Sequence, residues 1–290
     1  MRQKPARLWP DSATILERSR GVFFTQWEEL LRLRRVVMKT SDQDDIHDLR
    51  VAARRVRAAL ELFYPFAHKG SKTELRKNVR KLTRILGGLR NIDEALLFFK
   101  SRAITDISAD KKLLNTLSEL RSKELKRIEK ALKAFDHRNL DRIVREIVSG
   151  LNEDSTTERN SISILAYFSE FSIRQYLPIH QLLAGSTALD HRESRHALRI
   201  AIKKWRYFFE IIAQVIDRDY THILDLLKEY QSFLGRMNDI AVFEVLLGNL
   251  ELPSNEREYV KATLMAEDAL LLDGFKELIE RKPLAYTFLI

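Results

Sequence analysis

Residues 47–63 read HDLRVAARRVRAALELF, and residues 196–212 read HALRIAIKKWRYFFEII. At an offset of 149, His, Leu, Arg, Ala, Arg and Glu recur unchanged, and both copies carry basic residues at their eighth and ninth positions. The apolar residues of the first copy, Leu49, Ala52, Val56, Ala59, Leu60 and Phe63, follow a 3.6-residue period and predict a helix. With His47 at 0° and about 100° per residue, Arg50, Arg54 and Arg57 fall at roughly 280–340° while Leu49, Val56, Leu60 and Phe63 fall at roughly 160–220°. The first helix therefore carries a His-Arg-Arg-Arg stripe roughly opposite its core face. His196, Arg199, Lys203 and Arg206 form the same stripe on the second. Like charges one turn apart repel, so such a stripe stabilises nothing unless an anion or acidic neighbours compensate it. Glu61 and Glu210, at i+4 from Arg57 and Arg206, are expected to offset part of it.

A second matched block follows each copy. LGGLRNID at 86–93 aligns with LGRMNDIA at 234–241, offset by 148. Two matched blocks in the same order predict an internal duplication. Helical periodicity places segments at about 11–38, 44–67, 71–102 and 109–135, with a short helix to Ser149. Four more are expected at about 161–184, 190–217, 220–250 and 255–280. Asp11 or Ser12 is a candidate N-cap of the first, and Ser71 with Glu74 suits a capping box on the third. Pro178 should kink or split the sixth segment, and Pro253 and Pro283 bracket the last. The polar stretch GLNEDSTTERN at 150–160 is the best linker. No strand ladder is evident. The predicted fold is all-α: two antiparallel four-helix bundles, residues 1–150 and 151–290, related by a pseudo-two-fold.

The 290 residues include 50 Lys+Arg, 41 Asp+Glu and no Cys, so disulfide scaffolds and Cys-ligated metal sites are excluded. The net charge of +9 is unevenly placed: residues 1–150 hold 34 basic and 20 acidic side chains, net +14, and residues 151–290 hold 16 and 21, net −5. A basic half implies an anionic partner. No run approaches the roughly 18 apolar residues of a membrane span, and no apolar segment follows the basic start, so the expected compartment is the cytoplasm.

Arg suits phosphate because its planar fork engages two oxygens, Lys acts as a point charge, and His can donate a hydrogen bond. On the third helix Arg76, Lys77, Arg80, Lys81 and Arg84 lie away from Leu75, Val79, Leu82 and Leu86. The counterpart helix keeps Lys228 at the position of Arg80 but is otherwise much less basic. His47 and His196 lack the neighbours expected of metal ligands and read as phosphate-facing or structural. Asp42, Asp44, Asp45 and Asp48 read as complements of a helix N-terminus. Asp93, Glu94 and Asp239 have no His or nucleophile spaced to accompany them in catalysis. Phe63, Tyr64, Phe208 and Phe209 read as core.

With HDLRVAARRVR then LGGLRN, and HALRIAIKKWRY then LGRMND, the chain resembles the CHAD family, the conserved histidine α-helical domain, over nearly its whole length. Two departures are Asn91, where the family usually has Asp after Arg90, and Trp205 in place of an aliphatic residue. Because the resemblance covers nearly the whole sequence, no CYTH-type triphosphatase domain, a frequent companion in the family, is expected within these 290 residues. The resemblance implies two pseudo-symmetric helical bundles and non-catalytic binding of inorganic polyphosphate, with no cofactor or metal. It assigns phosphate binding to His47, Arg50, Arg54, Arg57, Arg80, His196, Arg199, Lys203, Arg206 and Lys228, with Arg55, Lys77 and Arg84 as weaker candidates. Polyphosphate granules are a candidate address. Two other readings stay open: a helical nucleic-acid binder, permitted by the +14 half although no recognised motif is present, and a metal-dependent phosphoanhydride hydrolase, for which no acidic Mg²⁺-holding set is evident.

Overall fold

The structure is a computed structural model that describes residues 10–66, 69–102, 108–151, 164–188, 191–248 and 254–288. Apart from Gly150 and Leu151, the expected linker lies outside the described residues, as do Ser161, Asp190 and Pro253.

Local chemistry sets the helix ends. α1 (Ser12–Thr40) starts where the Asp11 carboxylate accepts from the Thr14 N–H at 2.8 Å, and stops where Ser41 turns left-handed at φ 51°. α2 (Gln43–Phe63) starts where Asp42 accepts from the Asp44 N–H at 2.8 Å. Asp44 and Asp45 stand in its first turn, where carboxylates complement the positive end of the helix. Pro65 cannot supply the next helical N–H, so α2 ends four residues before the expected Ala67 and a 3-10 turn takes over at Tyr64–Phe66. α3 (Lys69–Arg102) begins two residues before Ser71, which therefore stands inside the helix rather than capping it. α4 (Ser108–Lys133) and α5 (His137–Ser149, capped by Asp136) complete the first half.

In the second half, α6 (Ile164–Leu183) runs through Pro178 without a break. The missing N–H falls one turn from the C-terminus, so a single lost bond does not split the helix. α7 (Arg192–Ile216) ends on Asp217 at φ 57°, and α8 (Thr221–Gly248) and α9 (Ser254–Arg281) follow. No described residue is in a strand.

In each half, consecutive helices pack side by side: α1 on α2, α2 on α3, α3 on α4, and then α6 on α7, α7 on α8, α8 on α9. α5 packs on both α1 and α3, so the fourth side of the first bundle is shared between α4 and α5. Burial of Trp27, Phe23 and Phe63 in the first half and of Trp205, Phe208, Phe209 and Phe275 in the second supplies the main driving force. After α9 the chain leaves the helix and buries Leu284 and Phe288 against the second bundle, with Phe288 edge-on to Phe208 at 5.1 Å. The Tyr176 and Tyr230 hydroxyls secure this tail by donating to the carbonyls of Leu284 and Lys282. The halves meet where α1 and α2 contact α7, and α3 contacts α8. The two His-Arg stripes therefore lie on helices that touch.

Candidate anion-binding site

Contact between α2 and α7 changes the character of the stripe. Arg50 is only 7% exposed and Arg199, its counterpart 149 residues on, is 9% exposed, so neither lies on an open surface as the helical wheel alone suggests. The Nε–H of each is buried without an acceptor, and among the described residues neither guanidinium is paired with a carboxylate. Burial, then the charges of Arg54 and Arg90, drags Arg50 down to about 9. Burial outweighs the attraction of Asp239 and takes Arg199 to about 10. Both remain charged at neutral pH. Lys203, half-buried beside Arg199, Arg54, Arg50 and Arg90, is held down to about 6, by burial first and by those cations next. A buried, unpaired cation is costly, and several together are costlier still.

Arg54, Arg199 and Lys203 of this group line a cleft of about 270 Å³ between α2 and α7, whereas Arg50 and Arg90 are not in its lining. Arg54 and Arg57 line one wall and Arg199, Lys203 and Lys204 the other, with Thr83 of α3 and Phe171 and Gln175 of α6 contributing to the lining. Arg54, Arg57 and Lys204 have no ion pair among the described residues. The half-buried mouth exposes guanidiniums to an entering anion, while the buried base strengthens each electrostatic contact by excluding water.

Other sequence-identified residues are distributed around this cleft. His47 and His196 are exposed at the start of their stripes. Burial and the neighbouring Arg50 charge lower the pKa of His47. His196 Nδ1 makes a 2.6 Å hydrogen bond with the Asn238 side chain. Arg80 is exposed on the face of α3 that also bears Thr83, whereas Lys77 and Arg84 sit about 100–120° around the helix from Thr83. Arg55 and Arg206 converge on Glu210, each Nε 3.2 Å from a carboxylate oxygen. Glu210 thus offsets Arg206, as the spacing anticipates, but Glu61 does not pair with Arg57. Lys228 pairs with Asp225 one turn away at 2.7 Å and is not part of the cleft lining.

The carboxylates that might have suggested catalysis hold arginines instead. Asp93 accepts from Arg121 at 2.7 Å, and Arg90 takes both Asp239 and Glu94. Among the described residues no three His, Asp or Glu side chains gather as a cation-holding group. Sequence reasoning missed Tyr207, a buried residue that lines the cleft and carries the Arg206 guanidinium 5.3 Å from its ring centroid. Its only signal was the aromatic immediately after the second stripe. It also missed Lys204, although the doubled KK at the eighth and ninth positions marked it.

The CHAD domain family model matches residues 22–248, and the chain belongs to this family. The fold is similar to the crystal structure of the CHAD domain from the plant Ricinus communis, at 22% identity and a TM-score of 0.74, covering 99% of this chain and 98% of that one. It is also similar to PptA from Streptomyces chartreusis, at 15% identity and a TM-score of 0.63, covering 92% and 98% respectively. No curated protein matches the sequence. No helix among the described residues is long and apolar enough to cross a membrane.

Proposed function

We propose that this CHAD protein is a non-catalytic binding module for inorganic polyphosphate, held between its two halves. Support comes above all from Arg50 and Arg199, two buried guanidiniums on touching helices that lack carboxylate partners: Arg199 lines a cleft rimmed by further cations, and Arg50 stands one turn before Arg54 of its lining. A chain of phosphates compensates such a cluster with successive charges, and Arg54, Arg57, Lys203 and Lys204 offer successive positions along it. Arg80 and the more distant Lys77 and Arg84 extend the positive surface over α3. His47 and His196 supply hydrogen bonds at its edge. Arg55, Arg206 and Lys228, already engaged by carboxylates, contribute less.

The test is a titration of the full chain with long-chain polyphosphate at several salt concentrations. The affinity should fall linearly with salt on logarithmic axes as counterions are released. Arg50→Glu combined with Arg54→Glu should abolish binding while the helical circular dichroism signal survives. Undiminished binding by a folded double variant overturns the site. Short polyphosphate should displace DNA at a far lower phosphate concentration than the reverse; the opposite order favours a nucleic-acid binder. Release of phosphate from polyphosphate with added Mg²⁺ or Mn²⁺ overturns the non-catalytic assignment.

A further inference from the structure

The cationic cleft does not end in solvent at Arg57. Arg57, Glu61 and Phe171 also line an adjoining pocket of about 220 Å³, whose other walls include Arg76, Arg174, Tyr64 and Tyr167. This second pocket differs chemically from the first: it is aromatic. Phe171 stacks on Phe208 at 5.8 Å and 26°, and the Arg174 guanidinium stands 5.8 Å from the Phe171 centroid. The Tyr167 hydroxyl fixes its ring by donating to the Leu62 carbonyl at 2.8 Å. Tyr64 is 39% exposed rather than core, with the Lys72 ammonium 4.3 Å from its ring centroid. A bare phosphate chain has no use for aromatic walls, whereas the face of a heterocycle stacks on them and on guanidinium planes.

Glu61 sits at the border of the two pockets and, among the described residues, makes no ion pair or hydrogen bond. A carboxylate there repels phosphate, so it weakens a track meant for phosphate alone. It is, however, a good acceptor for sugar hydroxyls. The order along α2 and the turn that follows it is cations at Arg54 and Arg57, a carboxylate at Glu61, then the aromatic Tyr64. The ten steps from Arg54 to Tyr64 span about 15 Å at a helical rise.

Resting on the anion-binding function proposed above, we infer that the protein also takes nucleoside 5′-polyphosphates, with the base in the aromatic pocket, the ribose hydroxyls on Glu61 and the phosphates on Arg57, Arg54 and Arg199. The base enters between Tyr64 and the Phe171–Arg174 pair, and the phosphate tail occupies the cleft that polyphosphate occupies in full.

The experiment compares adenosine 5′-triphosphate with inorganic tripolyphosphate by calorimetric titration of the full chain, wild type and variants, with folding checked by circular dichroism. Adenosine triphosphate should bind more tightly than tripolyphosphate despite its smaller charge. Tyr64→Ala should weaken adenosine triphosphate about tenfold, the scale of one lost base–aromatic contact, and leave tripolyphosphate unchanged. Glu61→Gln should weaken adenosine triphosphate and strengthen tripolyphosphate. Tripolyphosphate binding as tightly as the nucleotide in the wild type, or variants that shift both ligands equally, overturns the nucleotide site while leaving polyphosphate binding standing. Failure of both ligands and of long-chain polyphosphate overturns the underlying function as well.

Discussion

The Arg90 guanidinium grips Asp239 with both terminal nitrogens, at 2.5 and 2.9 Å, and so ties α3 of the first half to α8 of the second. Burial alone would lower the Arg90 pKa, but the hydrogen bonds and charge of Asp239, with Glu94, more than offset it. Arg90 belongs to the same cationic group as Arg50, Arg199 and Lys203, yet it alone of these four has its own carboxylates. The cluster therefore has one compensated member, which joins the halves, beside two uncompensated guanidiniums and a Lys203 amine that burial and those cations hold largely neutral at pH 7.

Removing that compensation should be costly. Asp239→Asn leaves Arg90 with only the exposed end of Glu94 and removes the nearest carboxylate from Arg199, so urea unfolding should show a loss of about 3 kcal/mol. A loss under about 1 kcal/mol would place the pair with solvent-exposed ion pairs instead.

Uncompensated members should behave oppositely. Arg50→Met replaces a buried unpaired charge with an apolar side chain of similar length, and should raise stability in anion-free buffer by about 1–3 kcal/mol. The same variant should bind tripolyphosphate more weakly. Thermal melts with and without tripolyphosphate check both: the ligand-induced stabilisation should shrink as the ligand-free midpoint rises.

Lys203 predicts a pH dependence. Its folded-state pKa is about 6, against 10.5 ordinarily, so between those values the unfolded chain carries a proton there that the folded, anion-free protein lacks. Stability contributed at this site should therefore rise with pH from about 6 towards 10.5, because the unfolded state binds more protons. A phosphate among Arg50, Arg54, Arg199 and Lys203 restores the proton. Binding should take up a fraction of a proton near pH 8 and weaken as pH rises above about 6. Titrations in buffers of different ionisation enthalpy measure this uptake, and Lys203→Met should remove its share.

Helical glycines divide into two kinds. A Cβ at Gly274 of α9 would lie 2.7 Å from the Phe233 ring, so Gly274→Ala should destabilise by about 1–3 kcal/mol through overpacking. Nothing lies within 4 Å of a Cβ at Gly87 or Gly235, the first glycines of the two LG blocks. Alanine at either should stabilise by about 0.5–1 kcal/mol through helix propensity. Chemical denaturation of the three variants distinguishes the cases.

Much of the architecture was legible because it is written in local periodicity. Leu49, Val56, Leu60 and Phe63 recur at helical spacing and are all buried, and Asp11 and Asp42 announce helix starts through side chains that act within three residues. Where expectation slipped, the decisive partner was distant or the local rule was overridden. α6 is not split at Pro178, and the buried tail at Leu284 and Phe288 depends on aromatic neighbours some 80 residues earlier in the chain. Tyr64, apolar enough to be taken for core, ends up half in solvent because Pro65 ends α2 there.

By itself, the sequence determined that the chain is helical, that basic residues form one stripe on each of two matched helices, and that the first half is the more positive. A helical wheel, however, assigns only a direction around an axis. It could not say that α2 and α7 turn those stripes towards each other, burying Arg50 and Arg199 while Glu210 draws off Arg55 from the other half. That was decided by tertiary packing, since desolvation and charge compensation depend on which side chains meet across the chain and not on their spacing along it.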